Sequence, residues 1–208
     1  MFLEMIDRFK NPELEGEVRF GLPENFASLF LADILVEFSR LHPRILLNIE
    51  CDLTLNLFER FKQKEFDLVL VKMNRPEDFP NGVNVLSEPL KWVGNYGLIH
   101  SEKPLPLVLS PHPCVYRSAA IKALDNTGRA WRLVFSSPSY AGTIAAVKAG
   151  MGITVMPLTM IPKELELLDI DELPELENSH ISLLKHHKNN AAINSLEEFV
   201  LQKLNNKF

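Results

Sequence analysis

Apolar positions recur along this chain at two alternating periods, and Gly16 to Glu50 shows both. Val18-Arg19-Phe20 is β-rich, and Gly21 with Pro23 breaks it. Ala27, Leu31, Ile34, Phe38 and Leu41 then recur every three or four residues, opposite a polar stripe of Asp33, Glu37 and Arg40. That pattern predicts an amphipathic helix lying on a sheet. It stops at His42-Pro43, because the residue before proline is pushed out of the helical region. Ile45 to Ile49 restarts extended structure, so the stretch reads as strand, crossover helix and parallel strand with a right-handed connection.

The same alternation continues to the carboxyl end. Leu53, Leu57 and Phe61 mark a short second helix, and the nearly continuous apolar run Phe66 to Val71 suits a strand buried on both faces. Lys72 to Pro76 is a loop, extended by Pro80-Asn81-Gly82. Val83 to Val93 reads extended with Pro89 interrupting it, and Leu105 to Leu109 is a strand. Val115 to Asn126 is a helix stopped by Thr127-Gly128, Trp131 to Phe135 a strand, and Tyr140 to Ala149 a helix after a serine-rich turn. Ile153 to Met156 and Ile181 to Lys185 are further strands. Ala192, Leu196, Phe199, Val200 and Leu204 form one apolar face of a last helix. About eight strands alternating with six helices predict an α/β fold of two three-layer Rossmann-like subdomains. Two crossing strands join them, a binding architecture before anything else. The first subdomain is expected over residues 14–90 with 187–208, and the second over 91–186.

Composition narrows the function. The 208 residues are 46% hydrophobic and 24% charged, with a net charge of −5 and scattered Lys and Arg. No basic stripe is present to grip a phosphate backbone. No apolar run approaches the roughly 20 residues that span a bilayer, and Met1 to Lys10 lacks the features of a secretory signal. The expected compartment is the cytoplasm, with no membrane partner. Cys51 and Cys114 are far apart and form no CxxC pair, so both are expected as buried or half-buried reduced thiols.

Candidate chemistry lies in the turns. Leu22-Pro23-Glu24-Asn25 sits where a strand ends and a helix begins, the place where open α/β sheets bind ligands. Its free N–H groups can face a ligand, or Glu24 and Asn25 can merely satisfy the helix start. Ser136, Ser137 and Ser139 around Pro138 form an equivalent turn, whose hydroxyls can hold a polar ligand or simply cap. Lys72 follows a buried strand and could pair with a carboxylate. Tyr116 and Arg117 open a helix, where an arginine opposes the helix dipole and so points to a specific partner or a surface ion pair. No GxSxG, GxGxxG or phosphate-binding GxxxxGK[ST] motif occurs. His112-Pro113-Cys114 gives no assured imidazole–thiol geometry, and the adjacent His186-His187 rings cannot easily share a metal. The expectation is a non-enzyme, with no catalytic residue, cofactor or metal.

Several segments in order resemble the effector-binding domain of LysR-type transcriptional regulators. They are GEVRFGLPENF, FSRLHPRILLNI, EFDLVLV, WRLVFSS and AAVKAGMGITVMP, spread across residues 14–206. Pro113 to Arg117 with Ala119-Ala120, and Gly128 to Arg132, look like one branch of that family. The resemblance implies a periplasmic-binding-protein-like type 2 fold. It implies a small polar effector held between the subdomains, in a cleft lined by the turn Leu22, Pro23, Glu24 and Asn25 and from the position of Lys72; Tyr116, Arg117, Ser136, Ser137 and Ser139, candidates by their own chemistry, complete the expected effector site. It also implies homodimers and homotetramers of the full-length protein, with the first helix and its neighbouring strand as natural contributors. DNA would be met only through an amino-terminal winged helix-turn-helix missing from these residues, with residues 1–13 the remnant of its linker helix. A transport solute-binding protein shares the two-lobe plan and stands as the alternative. A pure dimerisation module with a vestigial cleft is a third reading.

Overall fold

A computed structural model describes residues 13–28, 32–73, 82–186 and 190–206. All but the last residue of the linker-helix remnant expected over residues 1–13, position Leu31, most of the loop after Lys72 and residue His187 lie outside the described residues. The chain divides into two compact units. One comprises Met1–Val71, Phe79–Leu86 and Ile181–Phe208, the other Lys72–Asp78 and Ser87–His180. The architecture is α/β, two Rossmann-like units joined by two crossing strands.

The first unit grows from the expected crossover. Strand β1 (Gly16–Leu22) pairs in parallel with β2 (Ile45–Cys51), from Gly16↔Ile45 to Leu22↔Cys51. On its other side β1 pairs in parallel with β3 (Leu68–Met73), through Phe20↔Leu68 and Gly21↔Val69. Strand β9 (Asn178–Lys185) follows β3, giving the order β2-β1-β3-β9. Helix α1 (Ala32–Leu41) turns Ile34, Leu35 and Phe38 inward, and α2 (Thr54–Lys62) turns in Leu57 and Phe61. Helix α5 (Ala191–Asn205) is capped by Asn190, whose side chain accepts from Ala192 and Ile193 N–H. It buries Ala192, Leu196, Phe199, Val200 and Leu204, and the Phe38 and Phe199 rings meet at 5.4 Å between centroids. Each such fully buried large side chain contributes about 1.5–3 kcal/mol. Position decides burial within β3: Leu68, Val69, Leu70 and Val71 are all fully buried, as a strand covered on both faces requires.

The second unit contains the ladder of β4 (Val83–Gly94), antiparallel to β7 (Thr154–Pro157) from Leu90↔Pro157 to Val93↔Thr154. The short β8 (Glu166–Leu167), which the residue pattern does not announce, pairs with β4 at Val93↔Leu167. Strand β5 (Leu105–Leu109) runs parallel to β6 (Trp131–Ser136). A parallel bridge Leu107↔Ile153 joins the two sets, with Val108 N–H donating to Ile153 O at 2.8 Å and Ile153 N–H to Pro106 O at 2.9 Å. Helices α3 (Val115–Asn126) and α4 (Tyr140–Lys148) bury Tyr116, Ala120 and Leu124, and Ile144, Ala146 and Val147. After α4 the chain turns at Gly150, whose φ of +75° suits glycine at a helix end. It then passes Gly152, where an added Cβ would lie 2.6 Å from Pro106 O. That close approach lets Ile153 reach β5.

Two expectations need correction. Pro89 does not interrupt β4, which is continuous from Val83 to Gly94. The ladder to β7 begins only at Leu90, one residue later, so the missing N–H costs that ladder nothing. Cys51 is exposed, while Cys114 is half-buried. Strand β2 is the last strand of its sheet, and Cys51 ends it, so β1 flanks the residue on one side only and its thiol is covered only in part.

Candidate effector site

Each unit presents a loop at the carboxyl ends of adjoining parallel strands, and the ten sequence-predicted residues fall into two groups there. In the first unit, β1 ends at buried Leu22 and Pro23, followed by a single helical turn, Glu24–Phe26. Phe26 and Ala27 N–H both donate to Pro23 O at 3.0 Å. Glu24 and Asn25 are half-buried. The Glu24 carboxylate accepts from Ser28 Oγ at 3.3 Å. Its charge also reaches Cys51, opposite Leu22 in the ladder: burial raises the thiol pKa, and Glu24 raises it further. The neighbouring loop after β2 carries Asp52, which sequence reasoning missed. Asp52 Oδ1 accepts from Leu53 N–H at 2.6 Å and Asn56 Nδ2 at 2.9 Å, and so supplies the start of α2 with an acceptor that Leu53 lacks. The signal was a carboxylate four residues before an amide, just ahead of an apolar helical period.

The second unit gathers the other six. Leu109 and Ser136 are register partners at the ends of β5 and β6, and Ser137 N–H donates to Leu109 O at 3.4 Å. The loop through Ser110 and the turn through Ser137 are therefore neighbours. Ser139 caps α4, its Oγ accepting from Gly142 N–H at 3.4 Å. Ser137 Oγ braces the turn by accepting from Ser139 N–H at 3.2 Å. Gly142 is required there, since a Cβ would meet Ser137 Oγ at 2.6 Å. Ser136 is exposed and has no such structural task on its hydroxyl among the hydrogen bonds of this turn. At the start of α3, Arg117 Nη1 donates to Ser110 O at 3.2 Å, while its Nε–H is buried without an acceptor. Next to it, Tyr116 is buried with its ring beneath Lys72, whose Nζ lies 4.4 Å from the ring centroid.

One buried acid in this unit was also missed. Glu88 on β4 is 4% exposed, and its Oε2 accepts from Thr159 Oγ1 at 2.5 Å and Thr159 N–H at 3.3 Å. Burial raises its carboxyl pKa, and the two bonds from Thr159 oppose the rise. Ser87-Glu88-Pro89 reads as a polar break, which hid it. Among the described residues no group of three or more His, Cys, Asp or Glu could hold a metal ion. No described helix is long and apolar enough to cross a membrane.

Residues 11–205 match the LysR substrate binding domain. The chain belongs to that family. It is 36% identical over 172 residues to the HTH-type transcriptional regulator DgdR of Burkholderia cepacia, covering 82% of this chain and 58% of that protein. To the HTH-type transcriptional regulator PecT of Dickeya dadantii it is 26% identical over 192 residues, covering 89% of this chain and 60% of that protein. The domain thus spans about three-fifths of the length of these relatives. Its fold is similar to that of the regulatory domain of Synechocystis CcmR, solved in complex with 2-PG. The TM-score is 0.73 at 20% identity, covering 92% of this chain and 99% of the other. The family is that of regulatory domains, not a known enzyme family, and the regulator names of the relatives favour effector binding over solute transport.

Proposed function

We propose that this domain senses a small polar molecule for a transcriptional regulator, using the loops that carry Leu22 to Asn25, Lys72, Tyr116, Arg117, Ser136, Ser137 and Ser139. The observation that supports it most is Lys72 Nζ lying over the ring of Tyr116, whose neighbour Arg117 donates to the Ser110 carbonyl at the end of β5. Polar groups converge there on a rigid scaffold, as ligand sites require. The ligand shifts the balance between conformations by its differential affinity for them, and the full-length protein carries that shift to DNA through a separate winged helix-turn-helix.

Self-association belongs to the same reading. Val36, Leu46 and Ile49 of α1 and β2 are 51%, 62% and 39% exposed, beside a pocket of about 530 Å³ that Ala32 and Leu35 also line. Apolar surface of this kind marks an interface, and it supports homodimers and, in the full-length protein, homotetramers. A calorimetric metabolite screen tests the sensing role. Saturable heat from at least one small molecule, weakened by a Ser137→Ala substitution, is the expected result. A screen silent throughout overturns it.

A further inference from the structure

We propose that Glu88 is a proton-operated brace on the crossing strand β4, and that its ionisation loosens the serine turn and the first turn of α4. The boundary between the two units cuts β4 between Leu86 and Ser87, which makes Glu88 the second residue of that strand within the second unit. Its side chain is buried, and Oε1 has no hydrogen-bond partner among the described residues. Both bonds to the carboxyl come from Thr159, whose Oγ1–H and N–H donate to Oε2. Ser179 Oγ, fully buried on the neighbouring strand β9, has no partner either. Thr159 is the middle residue of a single 3-10 turn, Leu158–Met160, that follows β7. At the end of this turn Met160 O accepts from Tyr140 Oη–H at 2.7 Å. Tyr140 opens α4, directly after its N-cap Ser139. One short turn thus ties the buried carboxyl to the helix start that Ser139 caps.

The two protonation states load this tie differently. A neutral carboxyl carries its proton on Oε1, accepts both Thr159 bonds on Oε2 and needs no compensating charge. An ionised one holds a negative charge out of water with one oxygen lacking any donor, which is costly in a buried site. Burial raises the Glu88 pKa, the two Thr159 bonds oppose that rise, and no neighbouring charge contributes. The ionisable groups on the surrounding elements of this unit are His180 on β9, Lys91 on β4 itself, Glu166 on β8 opposite Gly94, and Lys148 on α4, which pairs with Glu164. Strand β7 and the 158–160 turn carry none. Only water entering beside Thr159 satisfies the ionised group. That entry draws the 158–160 turn away from β4 and takes Met160 O from Tyr140, so the start of α4 loses its tether.

The inference needs no effector, so it stands or falls apart from the sensing role. The test is NMR-detected amide hydrogen exchange on the whole chain from about pH 4.5 to about pH 8, corrected for intrinsic exchange. The reporters are Gly142 N–H, bonded to Ser139 Oγ, and Thr143 N–H, bonded to Ser139 O. Their protection should fall at least about threefold as pH rises from the ordinary carboxylate range to the raised Glu88 value, within the limit of about tenfold per pH unit that one proton sets. Glu88→Gln, uncharged at every pH, should flatten the profile. Tyr140→Phe cuts the tie without touching the carboxyl. In it the pH dependence should persist at Ile161 N–H, which donates to Leu158 O across the turn, and vanish at Gly142 and Thr143. That variant decides the question if Glu88→Gln fails to fold. His180→Asn should behave as the wild type. A flat wild-type profile, or a Glu88→Gln profile that keeps the dependence, overturns the inference. So does an unchanged dependence at Gly142 in Tyr140→Phe, or its loss in His180→Asn.

Discussion

Removing the Asp67 carboxylate should expose how the first unit holds the turn that follows β1. Asp67 is 7% exposed at its side chain and sits just before β3, beside the strand that ends at Leu22. Its Oδ2 accepts from Arg19 N–H at 3.0 Å and Arg19 Nε at 3.2 Å, and its Oδ1 from Arg19 Nη2 at 3.0 Å. Asp67 N–H in turn donates to Arg19 O at 2.9 Å. The clamp therefore pins β1 to β3 next to Phe20↔Leu68. A hydrogen bond to a charged group contributes about 1.5–3 kcal/mol, and breaking a fully buried pair costs about 3–5 kcal/mol. The Arg19 side chain is 36% exposed and can rehydrate, which trims the total. Asp67→Ala should then cost about 3 kcal/mol, and Arg19→Met about 2 kcal/mol, since the backbone N–H still serves the carboxylate. For a chain of this size that is a fall in Tm of about 6–12 °C for Asp67→Ala. Urea unfolding of both single variants and the double variant measures it, with a coupling of about 1–2 kcal/mol expected between the two sites. A cost below about 1 kcal/mol for Asp67→Ala, or additive single effects, would refute the reasoning.

Three further outcomes follow from the packing. Glu88 has a raised carboxyl pKa when folded, so its contribution is fully present at low pH and is lost as pH rises through that raised value. Glu88→Gln should flatten that decline in a pH series of unfolding free energies, and an unchanged slope would count against it. Gly152→Ala places a Cβ against the Pro106 carbonyl, where backbone cannot yield, and should cost about 1–3 kcal/mol by chemical denaturation. Gly150→Ala, with open space around its Cβ and only φ strain, should cost about 1 kcal/mol, and a reversed order would refute the close-approach account. Leu46→Glu on β2 should shift sedimentation toward the monomer without lowering Tm, and an unchanged profile would remove α1 and β2 from the interface.

Much of the scaffold could be read from local pattern. The period of Ile34 and Phe38, the stop at His42-Pro43 and the restart at Ile45 specify strand, helix and strand from neighbours alone. Helix α3 runs from Val115 to Asn126 because the glycine at 128 ends it at a φ of +67°. The apolar face of α5 is likewise a matter of spacing, and all five marked residues are buried. The turns after β1 and β6 were visible too, since a turn between strand and helix has a local signature.

Tertiary structure decided what depends on residues far apart in the chain. Nothing near Pro89 says that its ladder begins at Leu90, and nothing near Cys51 says that β2 is the last strand of its sheet. Glu88 looks like a loop residue until Thr159, 71 positions away, supplies its donors. Lys72 and Tyr116 are 44 positions apart, and only packing brings the ammonium over the ring. Periodicity reports which face of an element is apolar, because it is set by backbone geometry. Which elements adjoin, and hence which charges meet at the site, is set by long-range pairing and burial that no local stretch encodes.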